Sequence, residues 1–158
     1  MSKIVPNLWF DTDAEQAAQF YVSLFDDSRI LSVVPYGEAG PGEQGKVMLV
    51  SFELLGQEYA AINGGPQFPF TEAVSFEVRC ADQAEVDRLW DALTADGGEE
   101  VQCGWLKDRY GLSWQIVPER LIELVTGPEP AKSEAAMRAM LGMKKLDVAE
   151  LERAYEAG

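Results

Sequence analysis

Residues 11–25 read DTDAEQAAQFYVSLF, and their pattern returns further along the chain. Asp13 stands where a helix N-cap belongs, with Gln16 three residues on. Ala14, Ala17, Ala18, Tyr21 and Phe25 recur at helical spacing, so this helix buries one stripe. At an offset of 69 the frame repeats, with Asp82 on Asp13, Val86 on Ala17, Leu89 on Phe20, Trp90 on Tyr21 and Leu93 on Leu24. Such self-similarity marks two copies of one supersecondary unit.

The flanking segments give both copies the same order. Before the first helix, Ile4–Phe10 predicts a strand with Leu8 and Phe10 on one face and Val5, Asn7 and Trp9 on the other. After it come strands over 28–36, 46–54 and 57–62, the last two joined through Gly56. Residues 37–45 hold four glycines and a proline and predict a mobile loop. The second copy runs from a strand over 73–78, through a helix that Asp82 caps and Gly97-Gly98 ends, to strands over 100–103, 105–107 and 112–117. The expected fold is α+β, one domain of two paired β-α-β-β-β modules, 3–66 and 70–119, with C-terminal helices over 120–158. In that tail Ser133 is read as the cap of 134–141, with Met137, Met140 and Leu141 inward. Asp147 is read as the cap of 148–157, with Val148, Leu151, Ala154 and Tyr155 inward.

At 158 residues the chain buries roughly two-thirds of the surface that its unfolded form exposes. No apolar run approaches the roughly 18 residues of a membrane span, and Met1-Ser2-Lys3 leads into a strand rather than a signal peptide, so a cytoplasmic protein is expected. A net charge of −14 argues against nucleic acid, which needs clustered Lys and Arg. The same charge serves solubility or attracts a cationic ligand. Cys80 reads as a structural thiol at a strand end. Cys103 has no histidine to activate it, because the chain contains none.

The stretch CGWLKDRYGLSWQIVP, residues 103–118, is the best candidate for the floor of a pocket. It places Ser113, Gln115 and Val117 on one face of a strand and Leu112, Trp114 and Ile116 on the other. Trp114 is expected in the core.

Three stretches, VPNLWFDTDAEQAAQFYVSLF (5–25), NGGPQFPFTEAVSFEV (63–78) and QCGWLKDRYGLSWQIVP (102–118), resemble the PhnB-like branch of the vicinal oxygen chelate superfamily. That superfamily includes glyoxalases, extradiol dioxygenases, and fosfomycin and bleomycin resistance proteins. Many PhnB-like members carry the label 3-demethylubiquinone-9 3-methyltransferase. The tail MRAMLGMKKLDVAELERAY (137–155) is similar to that branch too. In metal-dependent relatives the ligands converge on a curled sheet face, and the matching positions here are Asn7 (or Val5), Ala73 and Gln115. An alanine, an asparagine and a glutamine make no divalent site, so no metal and no cofactor is expected.

What remains is a ligand cup. Gln115 is placed to hydrogen-bond a carbonyl or hydroxyl, or else to serve neighbouring backbone. Trp9, beside Asn7, stacks on a planar or cationic ligand or belongs to the core. Ser75 and Glu77 share the Ala73 face, with Glu77 a general base or a solvated edge charge. Trp105 and Cys103 border the cup, and Tyr36 and Asn63 are weaker candidates on loops that approach it in the family fold. The first reading is a metal-free protein binding a small organic ligand, cationic or aromatic, as a homodimer. The alternative is a lyase, isomerase or dioxygenase that uses a divalent metal. A methyltransferase is a third reading, against which stands the lack of a Gly-rich turn opening a helix.

Overall fold

A computed structural model describes residues 3–158, in two compact units, 3–70 and 71–158. In the first, β1 (Asn7–Phe10) leads to α1 (Ala14–Leu24), then β2 (Arg29–Pro35), β3 (Val47–Leu54) and β4 (Gln57–Asn63). The sheet order is β1-β4-β3-β2, with β1 parallel to β4 and the other pairs antiparallel. Leu8, Phe10, Val50, Phe52 and Ala61 alternate onto one face and are buried with Ala14, Ala17, Ala18 and Tyr21 of α1. β1 opens at Asn7 rather than at Ile4 because Pro6 has no N–H for a ladder, although its carbonyl accepts from the Ala60 amide. The α1 stripe closes on Leu24, while Phe25 stands past the helix end, half-buried. Leu55 and Gly56 join β3 to β4 with φ of 51° and 83°, the two left-handed residues of a tight hairpin turn.

The second unit repeats this order. β5 (Ser75–Cys80) and α2 (Gln83–Thr94) precede β6 (Glu99–Glu100), β7 (Trp105–Lys107) and β8 (Ser113–Pro118), in the sheet order β5-β8-β7-β6. Asp82 caps α2 by accepting from the Glu85 amide at 2.9 Å, and Glu85 reaches back to the Ala81 amide. Val86, Leu89, Trp90 and Leu93 are buried as their spacing requires. The strand expected over 100–103 stops at Glu100, because Cys103 and Gly104 take left-handed φ of 60° and 83° and turn the chain into β7.

Three helices follow, α3 (Glu119–Val125), α4 (Pro130–Leu141) and α5 (Val148–Ala157). They close a core with the end of β8, in which Leu121, Leu124, Leu146 and Leu151 are buried around Ala136 and Val117. Each such leucine contributes roughly 1.5–3 kcal/mol of burial. α4 begins at Pro130, three residues before the expected cap Ser133, since proline suits the first helical position. Its inward stripe is therefore Ala136, Ala139 and Met140, and Leu141 is 56% exposed. Asp147 caps α5 through the Glu150 amide.

The segment between α4 and α5 is bound to the second unit through its backbone. Cys103 and Gly104 donate their amides to the carbonyls of Met143 and Lys144, both at 2.8 Å. The side chain of Gln83 donates to the Leu146 carbonyl and accepts from the Val148 amide. Gly104 is required here, because a Cβ would sit 2.9 Å from Leu146 Cδ1.

Candidate functional site

The register of the second sheet decides which side chains share a face. Ser75 lies opposite Ser113, Glu77 opposite Gln115, Trp105 opposite Gln115 and Lys107 opposite Ser113. Ser75, Glu77, Trp105, Lys107, Ser113 and Gln115 thus form one face, since strand side chains alternate. The other face belongs to Phe76, Leu106, Trp114 and Ile116, with Trp114 1% exposed and in edge contact with Phe76.

The polar face is partly wired. Gln115 Nε2 donates to Ser75 Oγ at 2.8 Å, a diagonal pair across β5 and β8. Glu77 accepts from Arg79 at 3.1 Å on the exposed edge. Lys107 pairs with Glu72, and this hydrogen bond holds the Glu72 carboxyl below its ordinary range and lifts the Lys107 ammonium above its own. Ser113 is 1% exposed, and its Oγ has no partner among the described residues. Sequence alone does not single out Ser113 for the cup, yet the alternation that selects Gln115 places it on the same face.

The turn that feeds β8 is built by Asp108. Its Oδ1 accepts from the amides of Tyr110 and Leu112, and its Oδ2 from the indole of Trp114 at 2.9 Å. The carboxylate is 2% exposed, so it organises the turn from within.

The remaining candidates belong to other elements. Cys103 is half-buried with its Sγ 3.9 Å from the Leu141 carbonyl at the end of α4. In the first unit Asn7 and Trp9 share a face of β1, where Asn7 is exposed and donates to the Val5 carbonyl. The Trp9 indole donates to the Gly65 carbonyl at 2.9 Å and meets Phe68 edge-on at 5.0 Å. Gly64 lies so close that a Cβ would stand 2.1 Å from the indole ring.

The weaker candidates Tyr36 and Asn63 meet at a cavity of about 620 Å³ in the first unit. Tyr36 donates its hydroxyl to the Asn63 carbonyl. The Asn63 side chain accepts from the Ala14 amide at 2.8 Å and donates to the Val47 carbonyl at 3.1 Å. Asn63 therefore caps α1, a task that the Asp13 side chain does not perform.

A family model described as 3-demethylubiquinone-9 3-methyltransferase matches residues 2–117. The chain belongs to that family. The PhnB protein of Bacillus cereus is 38% identical, over 74% of this chain and 99% of its own, with a TM-score of 0.68. Protein PA1353 of Pseudomonas aeruginosa has the same fold, with 22% identity over 75% of this chain and 98% of its own, and a TM-score of 0.62. Among curated proteins, none matches. In this PhnB-like chain α3, α4 and α5 lie beyond the residues that the family model covers.

The positions that the resemblance matches to metal ligands do not suit an ion. Gln115 commits its amide to Ser75, Ala73 offers a methyl group, and Asn7 turns to its own backbone. Among the described residues no three His, Cys, Asp or Glu side chains gather in reach of one ion. No helix among them is long and apolar enough to cross a membrane.

Proposed function

We propose that this PhnB-like protein binds a small organic ligand without a metal, on the polar sheet face of its second unit. The reading is carried by the row of Ser113, Ser75 and Gln115 beside Trp105, neutral hydroxyl and amide groups next to an indole. Such groups match a carbonyl or hydroxyl on a flat ligand and suit a cation poorly as ligands to a metal. In the bound state Gln115 Oε1 accepts and Trp105 covers the ligand's apolar face, with the buried Ser113 behind them. Glu77, held by Arg79, is an edge charge in this reading, and Asn7, Trp9 and Cys103 serve the fold of their own units.

The family description points to methyl transfer. Support for it would be a glycine-rich turn opening a helix to hold a nucleoside cofactor, yet the turns into α1 and α2 are Asp11-Thr12-Asp13 and Ala81-Asp82. The working form in our reading is a cytoplasmic homodimer, and the exposed Leu31, Val33 and Val34 on edge strand β2 favour self-association.

Native mass spectrometry of protein purified without chelator or affinity metal tests the reading. The expected result is a dimer carrying organic mass and no metal, with the organic mass lost in Gln115→Ala at unchanged melting temperature. A stoichiometric divalent ion overturns it, as does an equal loss of stability in Gln115→Ala.

A further inference from the structure

We infer that the first unit carries a separate binding site for a small organic cation, an amine attached to an apolar body, in the cavity beside Tyr36 and the start of α1. Its volume of about 620 Å³ lies within the range of small-molecule pockets. The floor is apolar and fixed. Tyr36 is buried and its hydroxyl is spent on the Asn63 carbonyl, with Pro41 and Val47 beside it. Gly42 lies against the Tyr36 ring, where a Cβ would approach to 2.2 Å, so this wall is bare backbone. Asn63 ties the ring, β3 and the first amide of α1 together, so the floor of the cavity is set before any ligand arrives.

The charges above that floor select the ligand. Asp11, Glu15 and Glu43 line the cavity against one ammonium, Lys46, and no ion pair among the described residues involves any of the four. Residues 1–70 hold nine acidic side chains and three basic ones, so the surrounding field has the same sign. An amine gains from unpaired carboxylates over an aromatic floor, and a carboxylate ligand is repelled. This site uses none of the residues of the sheet face proposed above.

Nitrogen-edited NMR titrations of the full chain at low salt, with benzylamine, benzyl alcohol and benzoate, test the inference. Benzylamine is expected to shift the amides of Gly42, Gly64 and Gly65 saturably, with benzyl alcohol weaker and benzoate without effect. The exposed or half-exposed pair Glu15→Gln with Glu43→Gln is expected to weaken benzylamine about fivefold and leave benzyl alcohol unchanged. Gln115→Ala is expected to leave the benzylamine shifts at Gly42, Gly64 and Gly65 unchanged, whatever it does to shifts at Ser75, which separates a failure of this site from a failure of the other. Equal affinity for all three probes overturns the inference, as does benzylamine affinity indifferent to the carboxylates. Shifts confined to Ser75 and Gln115 overturn it too.

Discussion

Replacing Asp108 tests whether one buried carboxylate sets the geometry of the polar face. Its Oδ1 holds the Tyr110 and Leu112 amides and its Oδ2 holds the Trp114 indole, all at 2.8 to 3.1 Å, with Trp114 and Asp108 almost wholly buried. Asp108→Asn keeps the two amide bonds but turns an NH2 group toward the indole N–H. One charge-assisted bond is lost, at a cost of about 2 kcal/mol. Asp108→Ala leaves all three donors, two of them buried, without their acceptor and costs about 3–5 kcal/mol. For a chain of this length, 1 kcal/mol shifts Tm by about 2–4 °C, so Asp108→Asn should melt about 4–8 °C lower. Urea unfolding followed by far-UV circular dichroism gives the free energies, with an unchanged slope as the condition for comparing them. Trp114→Phe removes the third donor, so in the Asp108→Asn background it should cost about 1.5 kcal/mol less than in the wild type. Stability of Asp108→Asn within about 0.5 kcal/mol of the wild type, or zero coupling to Trp114, would refute the reasoning. Because the Leu112 amide fixes where β8 begins, the same variants should lose organic ligand alongside Gln115→Ala.

Two further perturbations probe parts of the second unit that this turn does not reach. Burial, reinforced by the nearby Glu85, pushes the Cys80 thiol up to about 12, so a disulfide reagent at pH 8 should label Cys103 in the native protein and both thiols only in denaturant. The raised value makes Cys80 favour the folded state fully below its unfolded pKa of about 8.5, and this contribution is lost as pH rises toward 12. A Cys80→Ala variant whose stability falls just as steeply between pH 8.5 and pH 11 would show that other groups cause the decline. Gln83→Ala removes both bonds to the segment before α5, and should cost about 1–2 kcal/mol and speed amide exchange at Val148. Unchanged exchange there would mean that the buried leucines alone hold the tail.

The repeat of α1 in α2, the strand alternation and the caps at Asp82 and Asp147 were legible because each depends on neighbours within about four residues. Alternation alone also put Ser75, Glu77, Trp105 and Gln115 on one face once the register was known. The sequence offered no sign that Asn63 would cap α1 across 49 residues, so Asp13 took that role in the sequence reading. Nor did it show that the Trp9 indole would close on Gly65, or that Cys103 would turn left-handed and be clasped by Met143. Ser133 looks like a helix start because its side chain fits a cap locally, but Pro130 already suits the first helical position and α4 starts there. The chain alone therefore determined the repeated modules and the polar character of the candidate face, since periodicity and capping are written in adjacent residues. Tertiary structure decided which polar atoms find partners and which stay without one, because that depends on groups brought together only when distant strands and loops close.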